Sequence, residues 1–176
     1  MKKKYDESLL DLTKSLEIEP NNASALSYRG RVYYKREAYN ESLMDLTKSL
    51  KIVPNNSSVL NYHGRIYYKR EAYNVSLMDL TKSLAIEPNS ASTLSYRSMI
   101  YHITKEYDKS LLNLTKSLEI KPNNKALWNW IKLLKIEPND ASALRHRGII
   151  YYGEGYDKSF LDLTKSLEIE QIMHLH

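Results

Sequence analysis

From Ala23 to Arg36 the residues Leu26, Gly30 and Tyr33 fall every three to four positions, and from Tyr39 onward Leu43, Leu46 and Leu50 repeat that spacing. This is the period of an amphipathic helix, and two such stretches in succession predict a helical hairpin. Pro54 then disfavours a helical residue ahead of it, while Asn55, Asn56 and Ser57 are residue types that cap a new helix start. The arrangement recurs along the chain. Pro20, Pro54, Pro88 and Pro122 stand 34 residues apart. The phrase Asp-Leu-Thr-Lys-Ser-Leu begins at Asp11, Asp45, Asp79 and Asp162, and returns as Asn-Leu-Thr-Lys-Ser-Leu at Asn113. A constant period of this length marks a repeat architecture.

The unit 23–56 resembles the tetratricopeptide repeat, whose pattern is a bulky apolar residue, then Gly, Tyr, a small residue, another apolar one, and Pro. Leu26, Gly30, Tyr33, Ser42, Leu46, Ser49 and Pro54 hold those places. The next two units carry Leu60, Gly64, Tyr67, Ser76, Leu80, Ser83 and Pro88, then Leu94, Ser98, Tyr101, Ser110, Leu114, Ser117 and Pro122. The resemblance implies an all-α fold, an α-α superhelix (solenoid) of helical hairpins. Two departures stand out. Serine replaces the family's alanine, which is expected to weaken the stack slightly unless each hydroxyl bonds back to its own helix. Arg29, His63, Arg97 and Arg147 replace apolar residues, and their stems are expected to pack while the polar heads reach out.

The units divide the chain into 1–22, the second helix of a truncated repeat, three full repeats at 23–56, 57–90 and 91–124, and an irregular remainder. Pro138 follows Pro122 by only 16 residues, so 125–140, with Trp128 and Trp130, is expected to be a degenerate single-helix repeat. A last repeat and C-terminal tail fill 141–176. Because the first unit lacks its first helix, one apolar face is expected to be uncovered. That would suit a longer array or self-association through uncapped ends.

Composition narrows the function classes. Charged residues make up 27% of the chain, and no apolar run approaches the roughly 18 residues of a membrane span. The start, Met1-Lys2-Lys3-Lys4-Tyr5, has no apolar stretch behind it to act as a secretory signal, so an intracellular, cytoplasmic location is expected. There is no cysteine, hence no disulfide, thiolate metal site or thiol nucleophile. The formal charge of +5 favours acidic partners. Catalysis needs a nucleophile with a base, paired carboxylates or a metal cluster in a pocket, and no such motif is visible. His63, His102 and His146 fall in first helices of different units, and His174 and His176 in the tail. No enzyme activity, metal or cofactor is expected.

The resemblance implies that first helices line an inner face that takes short extended peptides. By position, Tyr28, Tyr62 and Tyr96, with Tyr34, Tyr68 and Tyr152, turn toward that face. Arg31 and Arg65 follow Tyr28 and Tyr62 by three residues, one turn along, with Lys35 and Lys69 a further turn on. The expected partner-binding set is therefore Tyr28, Arg31, Tyr34, Lys35, Tyr62, Arg65, Tyr68, Lys69 and Tyr96. The family's chaperone-binding members clamp a terminal carboxylate with Lys and Asn, then Asn, then Lys with Arg. Here those places hold Ser27 and Arg31, then Tyr62, then Ser92 and Tyr96. The expected function is a non-enzymatic protein-interaction scaffold or adaptor for an extended acidic peptide. The alternatives are self-assembly and single-stranded nucleic acid stacked on tyrosine and arginine.

Overall fold

The computed structural model describes residues 2–121 and 168–169, and the chain divides into two units, Met1–Tyr96 and Arg97–His176. The shortened repeat expected at 125–140, with Trp128 and Trp130, lies outside the described residues, as does the last repeat expected at 141–176, with His146, Arg147 and Tyr152, apart from 168–169. Along the described residues run α1 (Lys2–Ile18), α2 (Ala23–Lys35), α3 (Tyr39–Ile52), α4 (Ser57–Lys69), α5 (Tyr73–Ile86), α6 (Ala91–Ile103) and α7 (Tyr107–Ile120), with no strand among them. No helix among the described residues is long and apolar enough to cross a membrane.

Local chemistry sets the helix ends. Asn22 and Asn56 precede α2 and α4 in extended conformation, and their Oδ1 atoms accept from the backbone N–H of Ala25 at 3.0 Å and Val59 at 3.1 Å. Each satisfies a donor that the first helical turn leaves free. The hairpin turns work differently. Glu37, Glu71 and Lys105 adopt φ of 62°, 60° and 61°, one left-handed residue after each first helix. The N–H groups of Ala38 and Ala72 then bond back to the carbonyls of Tyr33 and Tyr67 at 3.0 and 2.9 Å, closing those helix ends. At the far end, α3 and α5 stop at Ile52 and Ile86, ahead of Pro54 and Pro88.

In the first unit, α2 packs against α3 and α4 against α5. A Cβ on Gly30 would lie 2.8 Å from the Leu46 side chain, and one on Gly64 would lie 3.0 Å from Leu80, so glycine is what permits these approaches. Serines fasten the same crossings. Ser42 Oγ donates to the Gly30 carbonyl at 2.6 Å and Ser76 Oγ to the Gly64 carbonyl at 2.7 Å. Ser49 and Ser83 reach the carbonyls of Ala23 and Ser57, both at 2.9 Å. In the second unit Ser110 Oγ reaches the Ser98 carbonyl, also at 2.9 Å. The hydroxyls thus differ from expectation: they bond to the facing helix rather than back onto their own. A carbonyl already bonded along its helix keeps a second lone pair for such a donor.

Two buried clusters join consecutive helices. Leu16, Ala25 and Leu26 connect α1 to α2, while Tyr34, Leu46, Val59 and Ile66 connect α2, α3 and α4. Beside them runs a polar relay. Arg29 grips Asp45, 2% exposed, with Nε and NH2 at 2.7 and 2.9 Å, and its NH1 donates to Thr13 Oγ1 at 3.3 Å. One repeat on, His63 replaces the arginine: its Nδ1 lies 2.8 Å from Asp79 Oδ2 and its Nε2 lies 3.1 Å from Thr47 Oγ1. In the second unit Arg97 Nε donates to Asn113 Oδ1 at 2.7 Å. The expectation that these heads reach out to solvent is corrected, because a carboxylate or amide one hairpin arm away draws them inward.

Removing one member of a buried charge pair strands the other without its counter-charge, so Asp45→Ala is expected to destabilise the fold by about 3 kcal/mol in urea unfolding followed by circular dichroism. The double variant Arg29→Leu with Asp45→Leu should lose clearly less. Equal losses would mean that the pairing itself is not what holds α2 to α3.

Candidate binding face

The 34-residue period places Tyr28 and Arg31 of α2, Tyr62 and Arg65 of α4, and Tyr96 of α6 in equivalent registers. In the first unit they interleave. Arg31 Cζ lies 5.5 Å from the ring centre of Tyr28 and 5.1 Å from that of Tyr62. Arg65 Cζ lies 4.9 Å from Tyr62 and 4.5 Å from Tyr96. The result is a continuous ladder, Tyr28, Arg31, Tyr62, Arg65, Tyr96, in which each cation lies close to rings from two neighbouring first helices. Each such contact is favourable because the ring face carries negative charge density.

The two arginines differ in setting. Arg65 also lies 4.7 Å from the ring centre of Tyr34, so three rings surround it, and its NH2 donates to the Tyr96 hydroxyl at 3.2 Å. Its Nε is buried and has no hydrogen-bond partner among the described residues. Arg31 is partly exposed beside the open ring of Tyr28, itself 57% exposed. Tyr34 is buried, edge-on to Tyr62 at 5.2 Å and braced by Tyr39 at 5.8 Å. Tyr68 lies edge-on to Tyr96 at 5.6 Å and is braced by Tyr73 at 6.1 Å. Lys35 and Lys69 end α2 and α4, exposed at the margin of the face.

Seven of the nine expected residues therefore form one cluster, with the two lysines beside it. What sequence reasoning did not separate is the enclosed arginine from the open one, since Arg31 and Arg65 stand in closely similar local sequences, Gly-Arg-Val-Tyr-Tyr-Lys and Gly-Arg-Ile-Tyr-Tyr-Lys. Nor did it assign Tyr39 and Tyr73 to the back of the cluster. The short span from Tyr34 to Tyr39 across the hairpin turn, repeated from Tyr68 to Tyr73, carried that signal.

Ionisation follows from the geometry. Burial pushes the Tyr34 phenol well above its ordinary value, and its hydrogen bond to Tyr96, 3.4 Å between oxygens, adds to this. Burial also works against the Tyr96 phenolate, but the hydrogen bond from Tyr34 and the Arg65 cation together outweigh it, so Tyr96 is lowered. These directions correspond to Tyr34 donating its proton to an oxygen that already accepts from Arg65. Arg65 is disfavoured by burial, yet Tyr96 and Tyr34 more than offset this and raise it, keeping it charged. Burial raises Tyr68 as well.

Charge balance distinguishes the ladder from the other described arginines. Arg29 and Arg36 bind the carboxylates of Asp45 and Asp6, at 2.7 and 2.8 Å. Arg70 and Arg97 bind the amides of Asn40 and Asn113. Among the described residues, Arg31 and Arg65 meet only tyrosines.

The Thr47, His63, Asp79 relay has the order of a hydrolytic triad. Thr47, however, lies inside α3, where backbone N–H groups are committed to the helix and offer its hydroxyl no neighbouring backbone donor for an oxyanion. In the preceding repeat arginine occupies the histidine position and joins the equivalent threonine and aspartate, so the relay ties neighbouring helices together with either residue. Among the described residues no group of three or more His, Asp or Glu could hold a metal ion.

No family model and no curated protein matches the sequence. Solved structures do match. A crystal structure of MamA aligns with a TM-score of 0.65 at 20% identity, over 99% of this chain and 94% of that one. YrrB, described as a TPR protein with an unusual peptide-binding site, aligns with a TM-score of 0.61 at 21% identity, over 96% and 79%. The first TPR of Spaghetti (RPAP3), bound to HSP90 peptide SRMEEVD, aligns with a TM-score of 0.60 at 21% identity, over 65% and 91%. The chain has the tetratricopeptide-repeat fold. It is an all-α helical-repeat solenoid, and the ladder lies on its first helices.

The shifts give a titration order. A lowered phenol ionises early in the folded state, so Tyr96 adds stability as pH rises toward the ordinary tyrosine value of about 10 and withdraws it as pH falls through the folded value. Raised phenols act oppositely: the contribution of Tyr34 is complete below about 10 and fades above it. In a tyrosinate absorbance titration, Tyr96→Phe should remove a component below about 10 and Tyr34→Phe one above it. Unchanged curves would contradict the hydrogen-bond assignment.

Proposed function

We propose that the chain is a non-enzymatic interaction scaffold, and that its first-helix face takes an extended acidic peptide from a partner protein. Tyr28, Arg31, Tyr62, Arg65 and Tyr96 line this face, Tyr34 and Tyr68 shape it, and Lys35 and Lys69 widen its positive field. The observation that carries the reading is the uncompensated pair of arginines: Arg31 and Arg65 are without a carboxylate among the described residues, where Arg29 and Arg36 each have one. Arg31, beside the exposed ring of Tyr28, is the guanidinium open to a carboxylate, while Arg65 adds its charge from within the tyrosine cluster. The tyrosines add large, stiff contact area for the peptide backbone and its apolar side chains.

Two of the similar structures support peptide binding as the general activity, since one is described by its peptide-binding site and the other holds an acidic peptide. The places of the chaperone clamp are filled differently here, so the proposed contacts are those of the ladder. The lack of cysteine suits a partner met in the reducing cytoplasm.

Fluorescence anisotropy with labelled SRMEEVD, and with a version in which lysine replaces its acids, tests the reading. The acidic peptide should bind and the basic one should not. Affinity should fall as salt rises, and Arg31→Glu should weaken it about tenfold or more while leaving helicity intact. Arg31 is the variant of choice because Arg65→Glu would put a second demand on the tyrosine cluster. Equal binding of both peptides, or wild-type affinity in Arg31→Glu, would overturn the assignment. Tight binding of labelled oligo-dT in preference to the peptide would favour nucleic acid.

A further inference from the structure

The second helices carry a pattern that the first-helix face does not use. Leu10, Met44 and Met78 occupy one register of α1, α3 and α5, and they are 57%, 65% and 50% exposed. Scattered exposed apolar residues are ordinary, but one that recurs at the same register of three successive second helices is a repeated feature of this face. One turn further along the same helices stand the exposed Lys14, Lys48 and Lys82. One turn before the apolar register stand the exposed carboxylates Glu7 and Glu41, with Val75 in the third place. The columns therefore run acid, apolar, base across the first unit.

Between α1 and α3 this face borders a groove of about 290 Å³. Leu16, Pro20, Leu26 and Met44 give it apolar lining, and the paired Arg29 and Asp45 also border it. Lys48 Nζ, bonded to the Pro20 carbonyl at 2.6 Å, is tied to this groove. Such a recess accommodates one large apolar side chain.

We infer that this second-helix face is a docking surface for an amphipathic helix of a partner protein, lying across α1, α3 and α5. Its apolar stripe would rest on Leu10, Met44 and Met78, with one large residue in the groove. Glutamates or aspartates along one edge would meet Lys14, Lys48 and Lys82, and a basic edge would meet Glu7 and Glu41. Methionine suits such a surface because its unbranched, polarizable side chain adapts to the shape laid on it. The carboxylate column speaks against an anionic membrane as occupant, since it would oppose the same headgroups that the lysines attract. The proposal is independent of the first-helix face and requires nothing from Arg31 or Arg65.

The chain has five methionines, so methyl-labelled methionine resolves the face in a few NMR signals. The probe is a helix-stapled peptide with leucines at three- and four-residue spacing, glutamates along one edge and lysines along the other, titrated into the full chain. Met44 and Met78 should shift with it, and Met99 should not. A peptide with glutamine in place of every edge charge should bind at least about fivefold more weakly, and Met44→Glu with Met78→Glu should reduce affinity about tenfold without loss of helicity. Several outcomes would overturn the inference: no shift at Met44 and Met78, equal response to both peptides, or full binding by the double variant. Shifts of the same methyls on simple concentration of the protein would assign the face to a second copy. Shifts with phosphatidylserine vesicles but not with the peptide would assign it to a membrane surface.

Discussion

The buried carboxylate of Asp45 is the point on which the first unit turns. It sits on α3 almost without solvent, and the Arg29 guanidinium of α2 binds it through two nitrogens while the third reaches Thr13 on α1. A charge in that position is unfavourable alone and acceptable only with a partner in the right place, so the ion pair fixes how α2 lies on α3. The threonine arm extends the constraint to the preceding hairpin. The same geometry with histidine joins α3, α4 and α5. Apolar packing supplies most of the driving force, but it is tolerant of small slides and rotations, whereas a two-pronged ion pair is not.

This relay also explains the repeated phrase. Within Asp-Leu-Thr-Lys-Ser-Leu, aspartate addresses the first helix before it, threonine the first helix after it, and serine the carbonyl of the facing helix. Leucine fills the space that glycine leaves open opposite it. Lysine is left outward, and with the exposed leucine or methionine one turn earlier it forms the second-helix surface. One six-residue phrase thus carries both the internal connections of a repeat and part of its outer chemistry.

The two faces use charge in contrasting ways. On the first-helix face, Arg31 and Arg65 lie beside tyrosine rings and have no carboxylate among the described residues. On the second helices, charges of both signs flank an apolar row. Arg65 shows how far the first face is itself a piece of architecture. Three rings surround it, its hydrogen bond polarises the Tyr96 hydroxyl, and that hydroxyl is in turn paired with the Tyr34 hydroxyl. Arg31, beside the exposed Tyr28, is the member positioned to act outward.

The sequence by itself determined the period, the helical hairpins and their ends. Those depend on local rules: apolar spacing, the asparagine caps at 22 and 56, and proline after each second helix. It also determined which residues share a register, and hence that Tyr28, Tyr62 and Tyr96 fall in line with Arg31 and Arg65. Only the tertiary structure decided direction and depth. Arg29 and His63 turn inward because Asp45 and Asp79 approach from another helix, and the serine hydroxyls choose a facing carbonyl over their own. Tyr34 becomes buried while Tyr28 stays open, although both stand on one helix. Burial and partner choice at these positions are set by residues 12, 16, 26 or 62 places away, and a local pattern has no term for a neighbour that only folding brings near.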